Sequence, residues 1–197
     1  MVLLMISLRI PESIIPIDDG VFLEICRKNP DNRIERTQKG EIVFKAPTGG
    51  ETGKFNASII GIFYIWNKIQ KKGKIFDSST AFRLPSTAIR SPDLAFISTD
   101  RWNSLSIGEK ESFPSICPDF VLEIRSKTDK LTDLQSKMEE WIEGGCKLVW
   151  LLDIENLQFF IYKPESEVQV LQGRTVLITA EDVLPELTLS IEELINQ

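Results

Sequence analysis

The segment Cys117-Pro118-Asp119-Phe120-Val121-Leu122-Glu123-Ile124-Arg125-Ser126 decides the fold, together with the helical stretch Thr128 to Gly144 and the run Lys147-Leu148-Val149-Trp150-Leu151-Leu152-Asp153 behind it. Side chains alternate across a strand, so Asp119, Val121, Glu123 and Arg125 share one face and Phe120, Leu122 and Ile124 the other. A strand that is apolar on both faces apart from these charges belongs in the middle of a sheet covered on both sides. Ionised groups buried there are costly unless a metal ion or a counter-charge compensates them. Pairing of Glu123 with Arg125 is one compensation, and a cation held between carboxylates is the other.

Working outward, the helix behind this strand carries Leu131, Leu134, Met138, Trp141 and Ile142 on one apolar face. Lys137 falls on the flank of that face, from which its ammonium can snorkel toward the sheet edge. Upstream, Ile89 to Ser98 reads as a hydrophobic strand with one acid, Asp93, directly after Pro92. Farther upstream, Lys54 to Lys72 has the spacing of a long helix, led by the glycine-rich Thr48-Gly49-Gly50-Glu51-Thr52-Gly53. Gly53-Lys54 is followed by Phe55, so the phosphate-loop pattern is absent and nucleotide binding is excluded. Glu51 suits the positive end of the helix dipole.

The remaining segments complete a mixed pattern. Ser13 onward starts as Pro-rich extended chain, Asp18 to Arg27 reads as a short helix, and Asn29-Pro30-Asp31-Asn32 as a turn. Arg33 to Thr37 and Glu41 to Pro47 form a hairpin about Gln38-Lys39-Gly40, both strands alternating charge with apolar residues. Lys74 to Leu84 supplies one or two strands, Asp100 to Lys110 a helical excursion, and Leu157 to Tyr162 a further strand. Val168 to Leu171 and Thr175 to Ile178 read as another hairpin, and Ser190 to Ile195 as a short helix. The expected fold is a single α/β (α+β) domain over residues 1–197, a mixed sheet flanked by helices with extra N- and C-terminal hairpins.

Composition narrows the chemistry. The chain has 197 residues and no Pro/Ser/Gly linker, as suits one domain with a substantial core. There is no histidine, which removes Ser/His/Asp and Cys/His triads and histidine-rich zinc sites. Cys26, Cys117 and Cys146 are far apart and show no Cys-x-x-Cys spacing, so neither a zinc site nor a disulfide framework is expected. Carboxylate, lysine and arginine chemistry remains, and oxygen ligands favour magnesium, manganese or calcium. Met1 to Ile6 is apolar but lacks a basic leader and ends at Arg9 and Pro11, so no signal peptide, no membrane span and a cytoplasmic location are expected. Net charge is −6, yet residues 25–75 hold eleven Lys and Arg against four Asp and Glu. A basic front section on an acidic body is compatible with a polyanion approaching from one side.

An acid, then tens of residues, then a strand bearing Glu-x-cation and a helix resembles the PD-(D/E)XK nuclease superfamily. Six stretches in combination look like the Uma-two family of bacterial restriction endonucleases, long filed as a domain of unknown function. They are Arg33-Ile34-Glu35-Arg36-Thr37, Pro47-Thr48-Gly49-Gly50-Glu51-Thr52-Gly53, Phe76-Asp77-Ser78-Ser79-Thr80, Arg90-Ser91-Pro92-Asp93, Cys117 to Ser126, and Asp133-Leu134-Gln135-Ser136-Lys137-Met138-Glu139-Glu140-Trp141. The likeness spans about residues 20 to 190. It implies a restriction-endonuclease-like core, with Asp93 and Glu123 holding Mg2+ or Mn2+. Two positions after that glutamate the superfamily has lysine where this chain has Arg125, and Lys137 is placed to substitute for it. Glu51 matches an early acidic position that contributes outer contact to the metal, and Asp119 is a further candidate ligand.

The residue types suit the reaction so implied. A divalent ion between carboxylates and a phosphate oxygen polarises phosphorus, lowers the pKa of bound water and offsets charge on the leaving oxygen. Lysine near that water orients it and stabilises developing charge. Arginine does not readily release a proton, so Arg125 is assigned to phosphate or to tuning Glu123, and Lys137 to the reactive role. The expected activity is magnesium-dependent hydrolysis of DNA by an endonuclease, with a homodimer as the form that cuts two strands. A catalytically inactive nucleic-acid-binding or protein-interaction module on the same fold is the alternative. A sugar hydrolase using Asp93 and Glu123 as paired carboxylates ranks last.

Overall fold

A computed structural model describes residues 7–8, 17–180 and 183–196. The expected Pro-rich chain at its start, and the apolar Met1 to Ile6, lie outside them. In chain order the elements are β1 (Ser7–Leu8), α1 (Asp19–Lys28), β2 (Arg33–Arg36), β3 (Ile42–Lys45), α2 (Gly50–Gln70), β4 (Gly73–Asp77), β5 (Phe82–Arg83), β6 (Ile89–Arg90), β7 (Leu94–Ser98), α3 (Thr99–Asn103) and α4 (Ile107–Lys110). Then come β8 (Phe120–Ile124), α5 (Leu131–Glu143), β9 (Leu148–Asp153), β10 (Gln158–Tyr162), β11 (Gln169–Gln172), β12 (Leu177–Ala180), β13 (Leu184–Ser190) and α6 (Ile191–Ile195). The architecture is mixed α/β.

The main sheet has six strands in the order β11-β10-β9-β8-β7-β4. β8 lies at its centre and all five of its residues are buried, as its apolar faces require. Among the described strands only β8 and β9 run parallel, joined by α5 as the crossover helix. On one face Phe120, Leu122 and Ile124 pack with Ile59, Phe63 and Trp66 of α2 and with Ile191 and Leu194 of α6. On the other, Val121 packs with Met138 and Trp141 of α5. Glu123 shares this second face.

A five-stranded sheet, β1-β3-β2-β6-β5, stands beside the first. Ile34, Ile42 and Ile89 of this sheet bury themselves against Ile17 and Phe22, where α1 begins under an Asp18 cap that accepts the Val21 N–H at 2.8 Å. The register Glu35↔Val43 and Arg36↔Ile42, with Arg36↔Ile89, puts Glu35, Lys45 and Arg90 on the opposite side.

Three sequence expectations change. The run Ile89 to Ser98 is two short strands in different sheets, because Pro92 offers no N–H to a ladder and the chain bends at Ser91-Pro92-Asp93. The long helix begins at Gly50 rather than Lys54, with Gly49 as its extended N-cap and Glu51 in its first turn, and it stops before Lys71 at φ 53°. Val168 to Leu171 and Thr175 to Ile178 do not pair with each other: β11 adds to β10, and β12 forms a C-terminal hairpin with β13. No helix among the described residues is long and apolar enough to cross a membrane.

Candidate active site

The bend at Ser91-Pro92-Asp93 lies where the two sheets meet. Continuing the β7/β8 register of Leu94↔Leu122 by one residue sets Asp93 opposite Glu123. Asp93 Oδ2 accepts the Ile124 N–H at 2.8 Å, which holds the half-buried carboxylate against β8. Its Oδ1 meets no donor among the described residues.

Lys137 leaves α5 on the inward side and is only 6% exposed. Its ammonium touches Glu123 Oε1 and donates to Glu35 Oε1 at 3.3 Å and to the Ser91 carbonyl at 3.2 Å. Lys45, from the end of β3, pairs with Glu35 Oε1 at 3.0 Å, donates to the same Ser91 carbonyl at 3.3 Å and lies 3.9 Å from Glu123 Oε2. The two lysines and two glutamates therefore alternate around a small ring. Behind it, Arg90 reaches Glu35 Oε2 at 3.0 Å and Glu140 of α5 at 2.5 Å, and Glu140 also accepts the Gln38 N–H at 2.8 Å. This clamp fastens the hairpin to α5.

Burial is the leading influence on each group. It pushes the Glu123 carboxyl above its usual range despite Lys137 and Lys45, and Asp93 and Glu35 push the same way. It pulls the Lys137 ammonium below the usual lysine range in spite of Glu123 and Glu35. For Glu35 the balance reverses: burial opposes ionisation, but Lys137, Lys45 and Arg90 hold the carboxyl well below the ordinary range. For Lys45, burial is likewise outweighed by Glu35, Glu123 and Asp93, and its pKa rises.

Three expected residues lie elsewhere. Arg125 turns to Asp153 Oδ2 at 2.5 Å and to the Asp129 carbonyl at 3.3 Å, a tie between the end of β8 and the end of β9 that leaves Glu123 to the lysines. Asp119, four residues below Glu123, is held by ion pairs to Arg101 and Lys147 at 2.9 and 2.8 Å and accepts the Ser98 N–H at 2.9 Å. It closes the far end of the strand, about 13 Å from Glu123 along the chain. Glu51 is exposed in the first turn of α2, the helix that covers the other face of the sheet. The acid that accompanies Glu123 is Glu35, which with Lys45, Arg90 and Glu140 was not picked out from the sequence. Alternation places Glu35 and Lys45 on one face of the hairpin, but without the partner surface a charged face reads as solvated.

Asp93 and Glu123 are the residues able to hold a divalent ion. Both Glu35 oxygens are taken by cations, and among the described residues no group of three or more acidic or cysteine side chains is gathered as for a metal. Two carboxylates suit magnesium, which is commonly held by one or two of them while water and substrate phosphate fill its other positions. Of the Glu123 oxygens, Oε1 is held by the Lys137 ammonium, whereas Oε2 has Lys45 only at 3.9 Å and is the one left for such a role.

Comparison with known proteins agrees with this architecture. The model of the Uma2 family, described as "putative restriction endonuclease", matches residues 21–192. Among solved structures, a crystal structure described as that of a putative nuclease belonging to DUF820 from Anabaena variabilis superposes with a TM-score of 0.72 at 20% identity, covering 84% of this chain and 91% of that one. A comparison with curated proteins gave no match.

Proposed function

Because the chain belongs to the Uma2 restriction endonuclease family, we propose that it is a metal-dependent endonuclease that hydrolyses DNA phosphodiester bonds where Asp93 stands beside the ring of Glu123, Lys137, Glu35 and Lys45. The observation that carries the reading is the buried Lys137 ammonium set against Glu123, with Asp93 held opposite through the Ile124 N–H. Charge count supports it. Glu35, Asp93, Glu123 and Glu140 oppose Lys45, Arg90 and Lys137, one negative charge in excess. A bound divalent ion turns that excess into one positive charge, the complement of a single phosphodiester.

In this mechanism Asp93 and Glu123 would hold Mg2+ or Mn2+. When bound, such an ion supplies Lewis-acid polarisation of the phosphoryl oxygen and lowers the pKa of attacking water. Lys137 keeps Glu123 oriented and places fixed positive charge where negative charge grows on the phosphoryl oxygens. Glu35 holds both ammonium groups in place, and Arg90 with Glu140 holds Glu35. The low dielectric of the buried ring strengthens each of these interactions. DNA is the substrate in this reading, the cytoplasm its place of action, and a homodimer the form that would cut both strands of a duplex.

Nicking of supercoiled plasmid by pure protein tests the reading. Wild type is expected to nick with Mg2+ or Mn2+ and not in chelator, and Asp93→Ala and Glu123→Ala to fall by at least about 100-fold. Variants that nick like wild type would remove the assignment. A second reading, a binding module without catalysis, draws on Arg125, whose tie to Asp153 takes it away from the site. It predicts DNA binding with no metal-dependent nicking.

A further inference from the structure

The two lysines of the ring differ in what they have left to give. A lysine ammonium carries three N–H donors. Lys137 has three acceptors within reach, Glu123 Oε1, Glu35 Oε1 and the Ser91 carbonyl. Lys45 has two, Glu35 Oε1 at 3.0 Å and the Ser91 carbonyl at 3.3 Å, while Glu123 Oε2 at 3.9 Å is beyond hydrogen-bond length. One donor of Lys45 is uncommitted among the described residues. The side chain that carries it is 26% exposed, against 7% for Lys137, so of the two lysine side chains Lys45 is the one that lies along the surface. The chain beyond it, residues 46–50, is exposed throughout, and a Cβ added at Gly49 or Gly50 would meet nothing within 4 Å. An elongated polyanion has open access there.

Resting on the nuclease reading above, we propose that Lys45 is a substrate-contacting residue, the cation that receives a non-bridging oxygen of the scissile phosphodiester. Lys137 is the inner cation that organises the carboxylates, and Lys45 the outer one that grips the backbone. The contact is sequence-independent, because every phosphodiester presents the same oxygens.

Fluorescence anisotropy of a labelled duplex oligonucleotide, read across a series of KCl concentrations, tests this. Lys45→Gln keeps donors for Glu35 and Ser91 but loses the charge, whereas Lys45→Arg keeps the charge. Expected for K45Q is a Kd raised about 10-fold and a log Kd against log[KCl] slope reduced by about one. K45R is expected to keep the wild-type slope. In plasmid nicking K45Q should raise KM more than it lowers kcat, and its Mn2+ affinity by titration calorimetry should not fall, since both carboxylate ligands stay and the cation 3.9 Å from Glu123 Oε2 is removed. Wild-type Kd and slope in K45Q would overturn the proposal, as would a K45R slope that falls with K45Q. If wild type binds duplex and shows the Lys45 dependence without nicking, the nuclease reading fails and the phosphate contact stands. If wild type nicks while K45Q binds normally, the contact fails and the nuclease reading stands. A wild type that binds no duplex at any salt overturns the contact outright.

Discussion

Glu35 Oε1 lies 3.3 Å from Lys137 Nζ, joining a hairpin strand to a helix 102 residues farther along the chain. The same carboxylate takes Lys45 and Arg90, so it is the hub of a buried ionic group. Removing one partner of such a group leaves the others uncompensated. Glu35→Gln is expected to cost about 3 kcal/mol at neutral pH, a fall in Tm of roughly 10 °C, read by calorimetry. The Glu35 carboxyl is held well below its ordinary range, so the stability it contributes is full above the unfolded value of about 4.3 and is lost as pH falls through the folded one. The gap between wild type and E35Q should therefore narrow in acid.

Lys137→Met should separate stability from chemistry. It leaves Glu123 and Glu35 facing each other without the cation between them, and the metal-free protein is expected to lose about 3 to 5 kcal/mol. A divalent cation offsets that loss, so Mn2+ should raise the Tm of K137M more than that of wild type. Nicking should fall by at least about 100-fold. Equal Mn2+ shifts for the two proteins would show that Lys137 does not stand beside the metal position.

Arg125→Gln breaks the tie to Asp153 and the Asp129 carbonyl. A loss of about 1.5 to 3 kcal/mol is expected for charged hydrogen bonds of this kind, measured by urea unfolding. Mn2+ affinity by titration calorimetry should stay within about twofold of wild type, because the guanidinium makes no contact with Glu123. A large drop in affinity would return Arg125 to the site.

Asp119→Asn tests the other end of β8. Burial opposes ionisation of this acid, but Lys147, the Ser98 N–H and Arg101 lower its pKa. The variant is expected to lose about 2 kcal/mol at neutral pH, with Mn2+ affinity unchanged. The difference should be full above the unfolded pKa of about 3.9 and vanish as pH drops through the folded value.

These residues also show what a sequence reveals here. Period-two alternation and apolar runs put β8 at the centre of a covered sheet, and helical spacing put Lys137 on the inner flank of α5. Asp93 drew notice because it follows a proline, the same proline that splits the predicted strand into β6 and β7. Arg125 and Asp119 share a face with Glu123 in any strand, but alternation is blind to what waits at each end, and Asp153, Arg101 and Lys147 claimed them. Glu35 and Lys45 were hidden for a related reason. Their charged face is buried only because a second sheet docks against α5, a contact between segments some hundred residues apart that no local pattern encodes.

Asp93 and Glu123 are proposed to share one divalent ion. A crystal of the wild-type protein soaked in Mn2+, with anomalous scattering recorded, tests this most directly. One anomalous peak bonded to a carboxylate oxygen of each residue is expected, and its loss in Asp93→Asn. A peak held by Glu51 or Asp119, or none at the Asp93 and Glu123 carboxylates with Mn2+ in excess, would contradict it.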